Sequence, residues 1–199
     1  MRTTKPIATI SFNTPEYLFL KLDELVSSGH ISFWSACVHK PEDDEGGKKQ
    51  HTHVYLEPSK MIQTDSLVDF LKEPDPAKPN KPKGCLRFGS SKFDHWYLYA
   101  IHDKRYLASK GQSRKFHYSF SDIATSSDED LLYKVKSIDL LSISPYFDML
   151  DAIEHGITWA EYFRRGSIPI QQLNQWQKAW ELLTCNEINR NGRKGHENE

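Results

Sequence analysis

Short runs of β-branched and aromatic residues alternate with helix-start signals through the first 125 residues, and this order restricts the fold more than any other feature. Residues 7–12 alternate between apolar and polar positions, the pattern of a half-buried strand. Thr14, Pro15 and Glu16 then give a helix start, and Gly29 gives its stop. The resulting order β-α-β-β-α-β-α, with a fifth strand near 117–123, predicts an α+β fold in which one five-stranded antiparallel sheet carries helices on one side.

The other strands and helices of this region follow from the same signals. Strands are predicted at 31–38, 51–56 and 85–88, with a last one near 117–123. A short helix is predicted at 64–71. A second helix is predicted from a capping-box-like pair, Ser91 and Asp94, to Lys110, because Gly111 follows as a stop. The proline-rich residues 74–82 form a connection that neither a helix nor an inner strand tolerates.

The sequence after residue 125 has a helical pattern. Helix starts are predicted at Ser126, Ser144 and Thr158. One apolar stripe has helical spacing and consists of Leu173, Trp176, Trp180 and Leu183. We therefore expect a first, α+β domain at 1–126 and a small all-α domain at 127–199 that ends in a polar tail.

Composition limits the compartment and the partners. No apolar run reaches the ~18 residues of a membrane span, and no secretory signal is evident. The three cysteines are widely spaced and include no C-x-x-C pair, so neither a disulfide framework nor a structural zinc site is indicated. These features predict a cytoplasmic protein without a membrane partner.

A net charge of −1 argues against simple nucleic-acid binding, but the charge is unevenly distributed. Residues 76–118 contain ten lysines and arginines and two acids, a local net charge of +8. This segment is either an ordinary solvated surface or a DNA-binding face. On the second interpretation, the candidate phosphate contacts are Lys81, Lys83, Lys104, Arg105, Arg114 and Lys115.

Histidines at the ends of two predicted strands form a candidate metal site. His51 and His53 lie two residues apart, so both point to the same face of a strand, about 7 Å apart at Cα. The loop 40–50 would return the chain antiparallel and bring His39 beside them, with Glu42 as a possible carboxylate ligand. Such a set suits Mn²⁺ or Mg²⁺. The alternatives are surface histidines at strand ends and, for Glu42, a solvated member of an acidic run.

A tyrosine on the predicted 91–110 helix is a candidate nucleophile. Helical spacing places Tyr99 on one face with His95, His102 and Asp103, whereas Tyr97 points away. A helix face that carries the Tyr99 hydroxyl between polar side chains is able to face a metal site. The alternative is that Tyr99 is an amphipathic packing residue.

Taken in order, these motifs resemble a known family. The set comprises His39-x-x-Glu42, His51-x-His53 with apolar residues behind it, Tyr97-Leu98-Tyr99-x-x-His102, and 115–123 as a closing segment. It is similar to the plasmid rolling-circle initiators of the RepB type, within the HUH endonuclease superfamily. The likeness covers residues 30–125 by motif and the helical remainder by general layout. Two departures are Glu42, where the family commonly has Asp, and the polar Gln50 before the H-x-H strand.

The resemblance implies a function. His39, His51, His53 and Glu42 would hold Mn²⁺ or Mg²⁺, and Tyr99 would attack one strand of a double-strand origin. The products would be a 5′-phosphotyrosine and a free 3′-hydroxyl primer. It also implies binding to double- and single-stranded origin DNA, assembly into a homo-oligomer and contact with a host helicase. Two rival functions are a non-enzymatic DNA-binding repressor and a metal-dependent phosphodiesterase that uses water.

Overall fold

The structure is a computed structural model that describes residues 1–41, 49–112, 114, 116–138, 152–153, 155–165, 173–174, 176–182 and 184. The strands are β1 (Arg2–Thr3), β2 (Ile7–Ser11), β3 (Ile31–His39), β4 (His51–Pro58), β5 (Ile62–Gln63), β6 (Gly89–Ser90) and β7 (Ile123–Thr125). The helices are α1 (Pro15–Ser27), α2 (Thr64–Phe70), α3 (Phe93–Ala100), α4 (Lys104–Ser109), α5 (Asp128–Lys136) and α6 (Trp159–Arg165), with a 3₁₀ turn at Phe120–Asp122. The predicted helix start at Ser144 lies outside the described residues.

A five-stranded antiparallel sheet organises the chain, in the order β6-β2-β4-β3-β7. The α+β class and the five-stranded antiparallel sheet are therefore confirmed. β3 and β4 are the longest strands and pair with each other, and His39 lies opposite His51. β1 and β5 form a separate two-stranded sheet.

The sheet carries helices on both faces, so the prediction of helices on one side is wrong. Alternate residues of β3 and β4, such as Trp34 and Val54, pack in one core with Leu18 and Leu22 of α1. The residues between them point the other way. On that face the rings of Tyr55 and Trp96 (α3) lie 5.6 Å apart, and other aromatic residues of β3 and α3 surround them. Strand alternation thus separates an α1 face from an α3 face.

The predicted 91–110 helix is in fact two helices. α3 ends at Ala100, and His102 has a φ of 55°, in the left-handed region that is uncommon for residues other than glycine. Asp103 then caps α4, because its side chain accepts a hydrogen bond of 2.8 Å from the Tyr106 amide. The apolar periodicity runs through this break, so the sequence pattern gave no sign of it. The N-cap of α3 is Lys92, with no side-chain cap, so the capping role predicted for Ser91 is wrong.

Two predicted strands and one cap are displaced along the chain. Cys85 forms only an isolated bridge with Ser11, and Gly89–Ser90 supplies the edge strand beside β2. The last strand is Ile123–Thr125 and not 117–123. The N-cap of α5 is Ser127, one residue after the predicted Ser126, and its hydroxyl accepts from the Asp130 amide.

The chain packs as two compact units. The first comprises Met1–Ile101 and Tyr118–Ile138, and the second comprises His102–His117 and Asp139–Glu199. α5 thus belongs to the unit that contains the sheet, and α4 to the other, whereas the expected boundary was at 126/127. In the second unit, Thr158 and Glu161 form the predicted capping box of α6. None of the helices described has both the length and the apolar character needed to cross a membrane.

Candidate metal centre

Sheet register brings three predicted ligands to one end of the α3 face. His39 is the last residue of β3 and is directly paired with His51, the first residue of β4. His53 is two residues further along β4, on the same face as His51 and opposite Cys37. Antiparallel pairing of two consecutive strands therefore assembles the group from residues at the end of one strand and the start of the next.

The three imidazoles are close enough to share one ion. One ring nitrogen from each of His39, His51 and His53 lies within 4.8 Å of the others. Ring centroids are separated by 5.0 Å between His39 and His51 and by 4.4 Å between His39 and His53. His39 and His53 are buried, and His51 is half-buried. Three nitrogen ligands that converge from a buried edge fit the chemistry of a divalent ion whose other positions are open to water or substrate.

Backbone carbonyls orient two of these rings. His39 Nε2 lies 2.7 Å from the Ala100 carbonyl oxygen, and His51 Nδ1 lies 3.0 Å from the Lys49 carbonyl oxygen. A carbonyl only accepts hydrogen bonds, so each of these nitrogens carries the proton in this arrangement. Histidine ligands of metal ions commonly donate their second N–H in this way.

Cys37 does not join the histidines as a thiolate ligand in this arrangement. It lies opposite His53 in the sheet, and its side chain is fully buried. Burial raises the pKa of the Cys37 thiol to about 12. The ligand group found among the described residues consists of the three histidines and does not include Cys37.

Tyr99 lies beside the histidine group, and Tyr97 lies away from it. Tyr99 lies on α3, is partly exposed, and its ring is 5.4 Å from the ring of His53. Tyr97 is buried and stacks on Phe93 at 5.7 Å. The two tyrosines are two positions apart on one helix, which explains their opposite directions.

Most of the other predicted site residues are not assembled with Tyr99 as the sequence predicted, or lie outside the described residues. His102 and Asp103 follow the end of α3, so the predicted helix face that they would share with Tyr99 does not form. Glu42 lies outside the described residues, and the fourth ligand remains a prediction. His95 lies on α3 and is half-buried.

The predicted DNA contacts are divided between the two units. Lys81 and Lys83 belong to the first, where Lys81 is exposed and Lys83 Nζ lies 3.7 Å from a Glu73 carboxylate oxygen. The second unit contains three half-buried residues, Lys104, Arg105 and Arg114. Lys115 lies outside the described residues. Their role in DNA binding stays a prediction.

The sequence analysis missed Tyr118, a neighbour of the metal ligands. Its ring stacks on that of His39, with centroids 4.4 Å apart and planes 7° apart. Tyr118 lies 79 positions after His39 and before β7, so no local pattern indicates the contact.

No protein-family model matches the chain, and no curated protein matches it. The functional interpretation therefore depends on the geometry and on the motif resemblance.

Proposed function

We propose that the protein is a metal-dependent DNA nickase that initiates rolling-circle replication, with Tyr99 as the nucleophile. The observation that carries the proposal is the position of the Tyr99 ring beside His53, a member of the three-histidine group. A tyrosine and a metal centre at one place provide both the attacking group and the charge neutralisation that phosphodiester cleavage needs.

The chemistry follows from these two parts. A divalent ion bound by His39, His51 and His53 would neutralise the non-bridging oxygens of a phosphodiester and orient it for in-line attack. The Tyr99 hydroxyl, which loses its proton to solvent, forms the new bond to phosphorus. The bond from phosphorus to the 3′-oxygen breaks, and that oxygen is protonated. The products are a 5′-phosphotyrosine and a 3′-hydroxyl end that is able to prime synthesis.

The family resemblance implies Mn²⁺ or Mg²⁺, and the ligands bear on the choice between these two. Mg²⁺ prefers oxygen ligands, whereas a transition ion such as Mn²⁺ also accepts imidazole nitrogens. Of the two we therefore propose Mn²⁺, with Glu42 or water to complete the coordination. Double-stranded and single-stranded origin DNA are the proposed substrates, and a host helicase is the partner that the family resemblance suggests.

A nicking assay with two matched tyrosine variants tests the proposal. Supercoiled plasmid that carries the origin is incubated with Mn²⁺ and full-length protein. Relaxed circles and a covalent protein–DNA adduct are then measured on gels. We expect Tyr99→Phe to abolish both products while origin binding persists, since only one oxygen is removed. Tyr97→Phe is the control, because Tyr97 is buried away from the histidines, and it should still nick.

Three results would contradict the proposal in different ways. Relaxed circles from Tyr99→Phe without an adduct would indicate attack by water, as in a phosphodiesterase. Origin binding without any nicking by the wild-type protein would favour a repressor. An inactive Tyr97→Phe beside an active Tyr99→Phe would assign the nucleophile to the other tyrosine.

A further inference from the structure

The His39 ring is held from two sides by groups that are not metal ligands. Its Nε2 donates to the Ala100 carbonyl oxygen at 2.7 Å, and one face of the ring lies against Tyr118. The stack is nearly parallel, with an interplanar angle of 7°. Tyr118 is itself buried, so its ring has little freedom to move. The hydrogen bond fixes the rotation of the imidazole, and the stack fixes its plane.

Protonation at Nε2 leaves Nδ1 as the nitrogen of His39 with a lone pair. We infer that His39 binds the metal ion through Nδ1, and that Tyr118 and the Ala100 carbonyl are positioning groups for this ligand. His51 has the opposite arrangement, since its Nδ1 donates to the Lys49 carbonyl and its Nε2 is left for the ion. The inference rests on the metal centre of the proposed function, but it does not depend on DNA cleavage.

Tyr118 also contacts the end of the helix that carries Tyr99. The Tyr118 amide donates to the Ile101 carbonyl at 2.9 Å, immediately after α3. Ala100, whose carbonyl holds His39, directly follows Tyr99 in the chain. One residue therefore contacts a metal ligand through its ring and the Tyr99 helix through its backbone. Through these contacts, Tyr118 and Ala100 link the position of the ion to the position of the hydroxyl.

Calorimetric Mn²⁺ titration of the full chain tests the role of the stack. Tyr118→Leu removes the aromatic ring, and we expect it to raise the Kd for Mn²⁺ by about 10-fold or more, as loss of an outer-shell partner of a metal ligand commonly does. Tyr118→Phe keeps the stacked ring, so its Kd for Mn²⁺ should stay close to that of wild type and below the roughly 10-fold loss of the leucine variant. A leucine variant with wild-type affinity would overturn the positioning role.

A second variant separates positioning from general stability. Leu67 is buried in the core on the α1 face, on the opposite side of the sheet from the histidines. Leu67→Ala should lower the thermal unfolding temperature but leave the Kd for Mn²⁺ at the wild-type value. If Leu67→Ala weakens Mn²⁺ binding as much as Tyr118→Leu does, the loss reflects stability and the inference falls.

Nitrogen NMR tests the coordinating atom in the wild-type protein. With ¹⁵N-labelled histidine, the metal-free protein should show His39 protonated at Nε2, and Zn²⁺, a diamagnetic probe, should shift its Nδ1 resonance. Zn²⁺ binding at Nε2, or failure of the wild-type protein to bind either metal, would overturn the inference. A protein that binds Mn²⁺ in this way yet never nicks DNA would refute the proposed function and leave the inference standing.

Discussion

Single residues at one end of two strands form the candidate metal centre. His39 and His51 face each other across the β3–β4 ladder, and His53 follows on the same face. A shift of one residue in this register would turn His51 and His53 to the α1 face, where Val54 and Leu56 are buried. Burial of Val54 and Leu56 on the α1 face thus fixes the register, and the register brings the three histidines together.

Loss of one histidine should impair the metal centre more than loss of a neighbouring carboxylate. We expect His51→Ala or His53→Ala to eliminate Mn²⁺-dependent nicking and to raise the Kd for Mn²⁺ by more than about 10-fold, because even outer-shell losses reach that size. Glu42→Ala should have a smaller effect, since water is able to replace one carboxylate oxygen. Calorimetric Mn²⁺ titration and the nicking assay measure both effects.

His30 provides a matched control for the histidine variants. It is exposed, accepts or donates a hydrogen bond with Ser28 at 2.8 Å, and lies just before β3, at the opposite end of that strand from His39. His30→Ala should leave Mn²⁺ affinity at the wild-type value. An unchanged titration curve for His51→Ala and His53→Ala would contradict the metal centre.

At the scale of elements, the break between α3 and α4 is the feature that most affects the site. The left-handed His102 ends the first helix, its Nδ1 donates to the Phe116 carbonyl at 3.0 Å, and Asp103 starts the second helix. α3 ends at Ala100, so the helix does not continue past the Ala100 carbonyl group. The oxygen of this carbonyl is therefore able to accept the hydrogen bond from His39 Nε2.

The Asp103 cap should account for a measurable part of the stability of α4. Its carboxylate accepts from the Tyr106 amide, which lies in the first turn of α4. We expect Asp103→Ala to lower the free energy of unfolding by about 1 kcal/mol, as typical N-cap losses do. Asp103→Asn retains a capping oxygen and should stay close to wild type. Urea unfolding followed by circular dichroism measures the free energy of unfolding of both variants. If Asp103→Asn loses as much stability as Asp103→Ala, the Asp103 carboxylate does not act as a cap.

The elements that the sequence predicted well are those with local signals. Pro15 starts α1, Gly29 follows it with a φ of 65°, and the alternating strands form β2, β3 and β4. β6 could not be predicted, because glycine and serine have low strand propensity and pair there only through contact with β2. Likewise, strand alternation predicted the histidine group, whereas the contacts of Ala100 and Tyr118 with His39 arise from tertiary packing alone.

At the scale of the whole molecule, charge and assembly are the properties that the proposed function still requires. The predicted basic contacts occur in both units, and Lys83 already pairs with Glu73. Replacement by alanine of each predicted contact in turn should weaken origin binding and flatten its log–log salt dependence by about one unit where a phosphate contact is lost. Lys83→Ala should have the smallest effect, since its charge is partly compensated.

Fluorescence titrations over a series of salt concentrations measure these slopes. Lys72 provides a control, because it lies outside the basic segment and pairs with Asp69 at 2.6 Å. Lys72→Ala should leave the slope unchanged. The same slope in wild type and in all six variants would mean that residues 76–118 form an ordinary solvated surface.

The second unit has an aromatic core of its own, which changes the basis for the predicted oligomer. Tyr162, Trp176 and Trp180 are buried together with Ala108 and Ala179, and the rings of Tyr162 and Trp180 lie 5.1 Å apart. These rings therefore complete the core of one unit and are not left for a second copy. Tyr146 and Phe147, also expected to contribute, lie outside the described residues.

An exposed aromatic residue on the same helix is the position at which assembly is best tested. Phe163 on α6 is 42% exposed, although Tyr162 beside it is buried. We expect the full chain to be a homo-oligomer at tens of micromolar by light scattering, and Phe163→Lys to shift it toward monomer, because a charge at an apolar contact has to be desolvated. Gln177→Lys introduces the same charge at another exposed position of this unit and should leave the mass unchanged.

Linked copies would raise the effective concentration of binding sites at a repeated origin, so Phe163→Lys should also weaken binding to an origin with several sites more than to a single site. A monomeric wild-type protein at this concentration would refute the prediction.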